Sequence, residues 1–177
     1  VSQTNANFAG GASGGGVRAD VSWRFDYDST ARVEMKLSPA GDSPAKLDSL
    51  QLVIPFHGAA ATHYMANGIN MRQSNQAGLI PGQDKTGRVW DSTTMKAQKM
   101  TLGSFIPIVH VGNLSSGLTW FADNDKGWWP SDKAPAIEIT RPDKDSVELV
   151  FNIASEPVEL KEPRTIVFGL CVAPVRK

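Results

Sequence analysis

The chain has very little cysteine, no excess of either charge and no long apolar run, and each of these absences excludes a class of protein. Its single cysteine, Cys171, cannot form an internal disulfide. Lys plus Arg and Asp plus Glu both number 18, so no net field steers the 177 residues onto nucleic acid or an anionic membrane. No stretch approaches the ~20 apolar residues of a membrane span. We therefore expect an ordinary globular domain without nucleic-acid or membrane partners.

The first residues, VSQTNANFAGGASGGG, lack the basic start and the apolar centre of a signal peptide. Their glycines predict a flexible or linker-like start at residues 1–16. Residues 17–177 then form a single domain, which we expect to be a fragment of a larger protein. Cys171 lies in an apolar alternating run and is expected to be an inert thiol. One cysteine does not identify the compartment. Secretion or a periplasmic location of the full-length protein is one alternative.

After residue 16 the dominant pattern is the alternation of apolar and polar residues. ADVSWRFDYD and ARVEMKLSP flank a turn and predict a hairpin, and FIPIVHV and GLTWFAD predict a second one around GNLSSG. SVELVFNIA and RTIVFGLCVAP alternate in the same way. LDSLQLVIPF is more continuously apolar and predicts a strand covered on both faces.

The middle of the chain, from about Ala59 to Lys99, predicts long loops with short strands and one short helix around Asp91 to Gln98. About ten or more short strands with regular turns predict an all-β fold, an antiparallel β-sandwich with long loops. Long loops on a rigid sandwich are where function usually lies.

The stretch GLTWFADNDKGWWP, from Gly117 to Pro130, holds three of the five tryptophans. Tryptophan faces stack on sugar rings while Asp and Asn bind hydroxyls, so this stretch is a candidate glycan site. The strand pattern, however, favours Trp120 as a core residue. The adjacent Trp128 and Trp129 point to opposite sides of an extended backbone, so at most one of them faces a ligand together with Trp120.

The acidic residues and histidines have simpler interpretations. Asp123 and Asp125 suit turn chemistry, and an EF-hand beginning at Asp123 fails because Gly127 and Ala134 occupy ligand positions. A calcium site of another kind stays open, but we predict no metal and no cofactor. His57, His63 and His110 have no partner at metal-ligand spacing. His110 is expected to be packed in a strand. A cluster of His57 and His63 with nearby polar residues is an alternative to purely structural roles.

Three motifs resemble proteins of a known family. GLTWFADNDKGW, GRVWDS and the closing EPRTIVFGLCVAPVRK resemble a segment of large bacterial proteins related to glycoside hydrolase family 123, and LVIPFHGAAATHY extends the likeness into the first half. The resemblance implies an all-β domain placed before a (β/α)-barrel that hydrolyses N-acetylgalactosaminides with neighbouring carboxyls. No match to that catalytic pair exists in this sequence, so no catalytic residue is carried over.

The sequence therefore supports two functions. The first is a non-catalytic accessory domain of a glycoside hydrolase, which packs on a downstream catalytic domain of the same polypeptide and assists glycan binding. The second is a purely structural or protein-interaction domain without a ligand. The candidate ligand- or interface-binding residues are Trp90, Asp91, His63, Trp120, Asp123, Asn124, Asp125, Trp128 and Trp129.

Overall fold

Antiparallel strands account for most of the protein in a computed structural model that describes residues 5–68, 75–82, 84–97 and 105–174. The elements in chain order are β1 (Asn5–Gly14), β2 (Val17–Asp26), β3 (Thr30–Pro39), β4 (Ala45–Leu47), β5 (Leu50–His57), β6 (His63–Asn67), β7 (Asn75–Leu79), β8 (Gly87–Asp91), α1 (Thr93–Ala97), β9 (Ile108–Gly112), β10 (Gly117–Phe121), β11 (Ile137–Arg141), β12 (Ser146–Ala154), β13 (Val158–Leu160) and β14 (Arg164–Ala173). The predicted all-β fold is confirmed.

Two sheets carry the fold. The larger has eight strands in the order β1-β2-β3-β14-β10-β9-β6-β7, and the smaller has four in the order β5-β12-β11-β8. β13 and β4 form a separate pair. The larger and smaller sheets meet through their apolar faces, as the 4.6 Å between the ring centroids of Trp120 on β10 and Phe151 on β12 shows. This is the predicted antiparallel sandwich.

Alternation of side chains decides which residues enter the core. On β12 the residues Val147, Leu149, Phe151 and Ile153 are all buried, as the sequence predicts. On β14 the prediction holds for Ile166 and Phe168, whereas Val172 at the far end is exposed. The predicted hairpins are confirmed as β2–β3 and β9–β10, and the short helix is α1.

Two predictions about strands are wrong. Asn5–Gly14 is not a linker but the strand β1, which pairs with β2 along its whole length through a turn at Gly15 and Gly16, both with positive φ. The domain therefore includes this segment. β5, the edge strand of the smaller sheet, is not covered on both faces, because its residues alternate between half-buried and exposed. No helix in the described ranges is long and apolar enough to cross a membrane.

Candidate functional site

The tryptophan-rich stretch builds the core rather than a ligand platform. Trp120 is 1% exposed and Trp128 is 6% exposed, and their ring centroids lie 6.4 Å apart. Phe105 and Phe151 meet the ring of Trp128 edge-on, with interplanar angles of 90°. Because sugar stacking needs an open aromatic face, neither tryptophan can serve as the predicted platform. The prediction that Trp120 is a core residue is confirmed.

Trp129 is half-buried and packs against the core, beside the bend that contains Trp128. The guanidinium carbon of Arg164 lies 4.1 Å from the Trp129 ring centroid, a cation–π contact that covers one face. Arg164 also donates a hydrogen bond of 3.0 Å to the carbonyl of Trp128. The backbone amide of Trp129 donates to Ile153 at 2.8 Å. Trp129 therefore fastens the loop to β12 and β14.

The polar residues of the loop shape its turns. The Asn124 side-chain oxygen accepts a hydrogen bond from the amide of Lys126 at 3.0 Å, and the carbonyl of Asp125 accepts one from Trp128 at 3.0 Å. Gly127 follows with a φ of +91°, a conformation that favours glycine. The side chain that accepts in this turn is that of Asn124, and turn-forming roles for the side chains of Asp123 and Asp125 stay a prediction. In the described ranges no group of three or more His, Cys, Asp or Glu side chains could hold a metal ion.

Trp90 and Asp91 lie on β8 in the smaller sheet, apart from that loop. Trp90 is 4% exposed, and its indole N–H donates to Gln76 at 2.7 Å. Asp91 accepts hydrogen bonds from the amide of Thr93 at 2.9 Å and from the Thr93 hydroxyl, so it caps α1. The GRVWDS motif is therefore explained by structure: its Trp fills the core and its Asp begins a helix.

A row of polar side chains continues from Asp91 across the outer face of the smaller sheet. No sequence pattern predicts this row. Arg88 is 2.8 Å from Glu138 and 3.4 Å from Asp91. Asn152 donates to Glu138 at 3.1 Å and accepts from Gln51 at 2.7 Å. These residues come from β8, β11, β12 and β5, so only the strand order brings them together. Each satisfies its neighbour, which suits a structural network.

The histidines pair with neighbouring hydroxyls. A ring nitrogen of His63 on β6 lies 2.8 Å from the Thr62 hydroxyl, and a ring nitrogen of His110 lies 2.9 Å from that of Thr119. Partial burial lowers the pKa of His110 below its usual range. The predicted packing of His110 in a strand agrees with these contacts, and a binding or interface role for His63 stays a prediction.

Asp123 contributes to an open cleft of about 230 Å³ on the outer face of the larger sheet. Its polar residues are Asp26, Thr30, Arg32 and Asp123. The exposed ring of Phe121 lies so close over Gly169 that a Cβ added there would be 2.1 Å from a ring carbon. The cleft thus combines a flat aromatic surface with carboxylates and a guanidinium. Its acids lie at an open surface, unlike an enclosed hydrolytic pair.

An apolar groove of about 310 Å³ opens between the two sheets, where β2 and β3 face the edge strand β5. The lining residues are Val21, Trp23, Val33, Met35, Leu52, Val53, Ile54, Pro55, Phe168 and Leu170. No charged residue is among them. The aromatic surface continues beyond the groove, because Trp23 stacks on Phe25 at 5.9 Å and Phe8 meets Phe25 edge-on at 5.6 Å.

The groove exists because the larger sheet is wider than the smaller one. The smaller sheet ends at β5, while the larger sheet continues past β3 to β2 and β1. Val17 at the start of β2 is buried in the core, but no described residue covers the far part of the extra strands, so Phe8 is 61% exposed and Phe25 is 41% exposed. The residue pattern alone does not predict this surface. Two features of the sequence point toward it. The apolar alternation of ADVSWRFDYD continues to the end of its strand, and LDSLQLVIPF supplies an apolar edge strand.

Comparisons with known proteins give distant structural likenesses. No family model matches the chain, and no curated protein matches it significantly. The Slr1438 protein from Synechocystis sp. PCC 6803 superposes with a TM-score of 0.47 at 10% identity, over 97% of this chain and 63% of that one. YeaD from Salmonella typhimurium, a proposed mutarotase, superposes with a TM-score of 0.46 at 10% identity, over 96% and 60%.

The chain thus spans less than two thirds of the length of both proteins. Nothing about its own activity follows from such distant likenesses. The resemblance of its motifs to proteins related to glycoside hydrolase family 123 stays a prediction.

Proposed function

We propose that this chain is a non-catalytic accessory β-sandwich that packs on a catalytic domain of the same polypeptide through its apolar groove. The groove carries the proposal, because it is an open concave surface without charged residues. A sugar needs polar partners for its hydroxyls, which this groove does not offer. An exposed apolar surface of this kind suits another protein surface. The parent in this proposal is a glycoside hydrolase, as the motif resemblance implies.

The alternative is a purely structural or interaction domain without a ligand. The burial of Trp120 and Trp128 favours it over a tryptophan-based glycan site, since both rings stabilise the core. As an interaction domain the alternative would use the groove with a different partner, and as a purely structural domain it would use no partner. Binding to a catalytic domain of the parent therefore separates them.

The groove can be tested with a matched pair of valine substitutions. Val53→Lys places a charge at the groove, and we expect it to weaken association with the separately supplied catalytic domain about tenfold or more. Val172→Lys places the same charge on an exposed position of β14 outside the groove and should leave binding unchanged. Isothermal titration calorimetry measures both. Equal affinity of the Val53→Lys variant and the unaltered chain would exclude the groove as the interface.

Assistance in glycan binding is a second proposal, carried by the cleft at Phe121 and Asp123. An exposed aromatic ring beside a carboxylate and the guanidinium of Arg32 offers both stacking and hydrogen bonding to a pyranose. Titration with hexoses and N-acetylhexosamines should shift the amide resonances of Asp123 and Gly169, and Phe121→Ala should abolish the shifts. If these resonances do not move at saturating sugar while the groove still binds its partner, only the glycan proposal fails.

A further inference from the structure

Among the described residues, β1 presents an unpaired backbone edge ten residues long. One side of the strand pairs with β2 from Asn5 to Gly14, and no strand of the described residues follows β1 in the order of the larger sheet. All ten of its residues are exposed. Such an edge carries a row of N–H and C=O groups that can pair with another strand.

The other described edges of the eight-stranded and four-stranded sheets have features that discourage pairing. β7, at the opposite edge of the larger sheet, has only five residues. β5 carries Pro55, which has no amide hydrogen to donate. β8 begins at Gly87 with a φ of +110°, and its register with β11 shifts between Ile139 and Thr140. β1 has no proline, no charged residue and no shift in its register with β2.

We propose that β1 pairs antiparallel with β1 of a second copy of this chain, joining two eight-stranded sheets about a two-fold axis. A two-fold contact needs a surface that is complementary to itself. Like charges facing each other across such an axis would oppose pairing. β1, with the sequence NANFAGGASG, brings no charge to the contact.

One antiparallel register places every large residue of β1 opposite a small one. With Ala9 opposite Ala9 of the second copy, Phe8 faces Gly10 and Asn7 faces Gly11, each pair on a common face of the sheet. The other pairs in this register are Asn5 with Ser13 and Ala6 with Ala12. The whole strand except Gly14 is then paired.

Two details of the structure fit this register. An aromatic ring already lies across a cross-strand glycine in this protein, where Phe121 covers Gly169, so Phe8 over Gly10 repeats an arrangement that the fold uses. On the other face, a carboxylate oxygen of Asp20 lies 3.1 Å from the position of a Cβ added to Gly11. The Asp20 carboxylate therefore lies over Gly11, within reach of the side-chain amide of Asn7 from the second copy. The contact uses the free edge of β1 and leaves the apolar groove open.

Charge substitutions at the two-fold axis test the proposal. The unaltered chain should sediment as a monomer–dimer equilibrium as its concentration rises to several hundred micromolar. Ala9→Lys and Ala9→Asp each place like charges opposite each other and should weaken the dimer by about tenfold or more. Mixing the two variants should restore a dimer, because the facing charges are then opposite. Ala9 is exposed, so unchanged melting temperatures are expected for both variants.

Ala77→Lys is the matched control, since Ala77 is exposed on β7 at the other edge of the same sheet. This variant should dimerise like the unaltered chain. The proposal is overturned if the unaltered chain stays monomeric throughout, if Ala9→Lys dimerises normally, or if Ala77→Lys disrupts the dimer to the same extent. If Ala9→Lys loses the dimer but still binds a catalytic domain, the β1 contact and the apolar groove are independent surfaces.

Discussion

Replacing Trp120 with alanine is expected to lower the free energy of unfolding by about 3–5 kcal/mol, the range for large buried aromatic residues. Trp120 lies where the two sheets meet, with Phe151 of the smaller sheet 4.6 Å away and Phe168 of the larger sheet 6.2 Å away. Phe105 and Trp128 complete its surroundings, with ring centroids at 6.1 and 6.4 Å. Removing the indole leaves a cavity that both sheets would have to close.

The measurement is denaturant unfolding, together with a melting temperature that should fall by on the order of 10 °C. Trp120→Phe is the informative partner variant. The Trp120 N–H is buried without a hydrogen-bond partner among the described residues, so phenylalanine removes an unsatisfied donor and should cost clearly less than alanine. Trp129→Ala, at a half-buried ring, should also cost less. Unchanged stability of the Trp120→Ala variant would contradict the core assignment.

Substituting alanine for Gly127 should destabilise the protein by roughly 2–4 kcal/mol, from backbone strain and a steric clash together. Gly127 has a φ of +91°, which a residue with a Cβ rarely adopts. The added Cβ would lie 2.5 Å from the carbonyl oxygen of Thr165 and 2.9 Å from a side-chain carbon of Ile166. Relief of that clash moves the loop away from β14 and pulls Trp128 from the core.

Gly41→Ala provides the control for the glycine substitution. Gly41 lies in an exposed bend, and an added Cβ would meet no atom within 4 Å. Its variant should match the unaltered chain within about 0.5 kcal/mol in chemical denaturation. Near-equal stabilities of the two alanine variants would show that Gly127 is not required by the backbone there.

Much of the fold follows from the alternation of side chains. On β2 and β3 the period of two predicts both the strands and their hairpin, because each strand has one face toward the core. β1 breaks this rule. Its glycines and alanines give no periodic signal, and it is a strand because β2 offers a ten-residue partner. A pairing between neighbouring strands can thus override weak local propensity.

The site is less predictable for a geometrical reason. The sequence predicts that Trp128 and Trp129 point to opposite sides if the backbone is extended, but it does not show that Trp128 meets Phe105 and Phe151 across the sandwich. The groove between Trp23 and Leu52 depends on how far one sheet extends beyond the other. Strand order sets that overlap, and residue periodicity does not encode it.

Hydroxyl-radical footprinting of side chains tests most directly whether the apolar groove is an interface with a catalytic domain. Trp23 and Val53 should be oxidised readily in the isolated chain and be protected in a longer polypeptide that includes that domain. Phe121 and Val172, exposed elsewhere, should react alike in both. Equal oxidation of Trp23 and Val53 in the two forms would contradict the proposed docking.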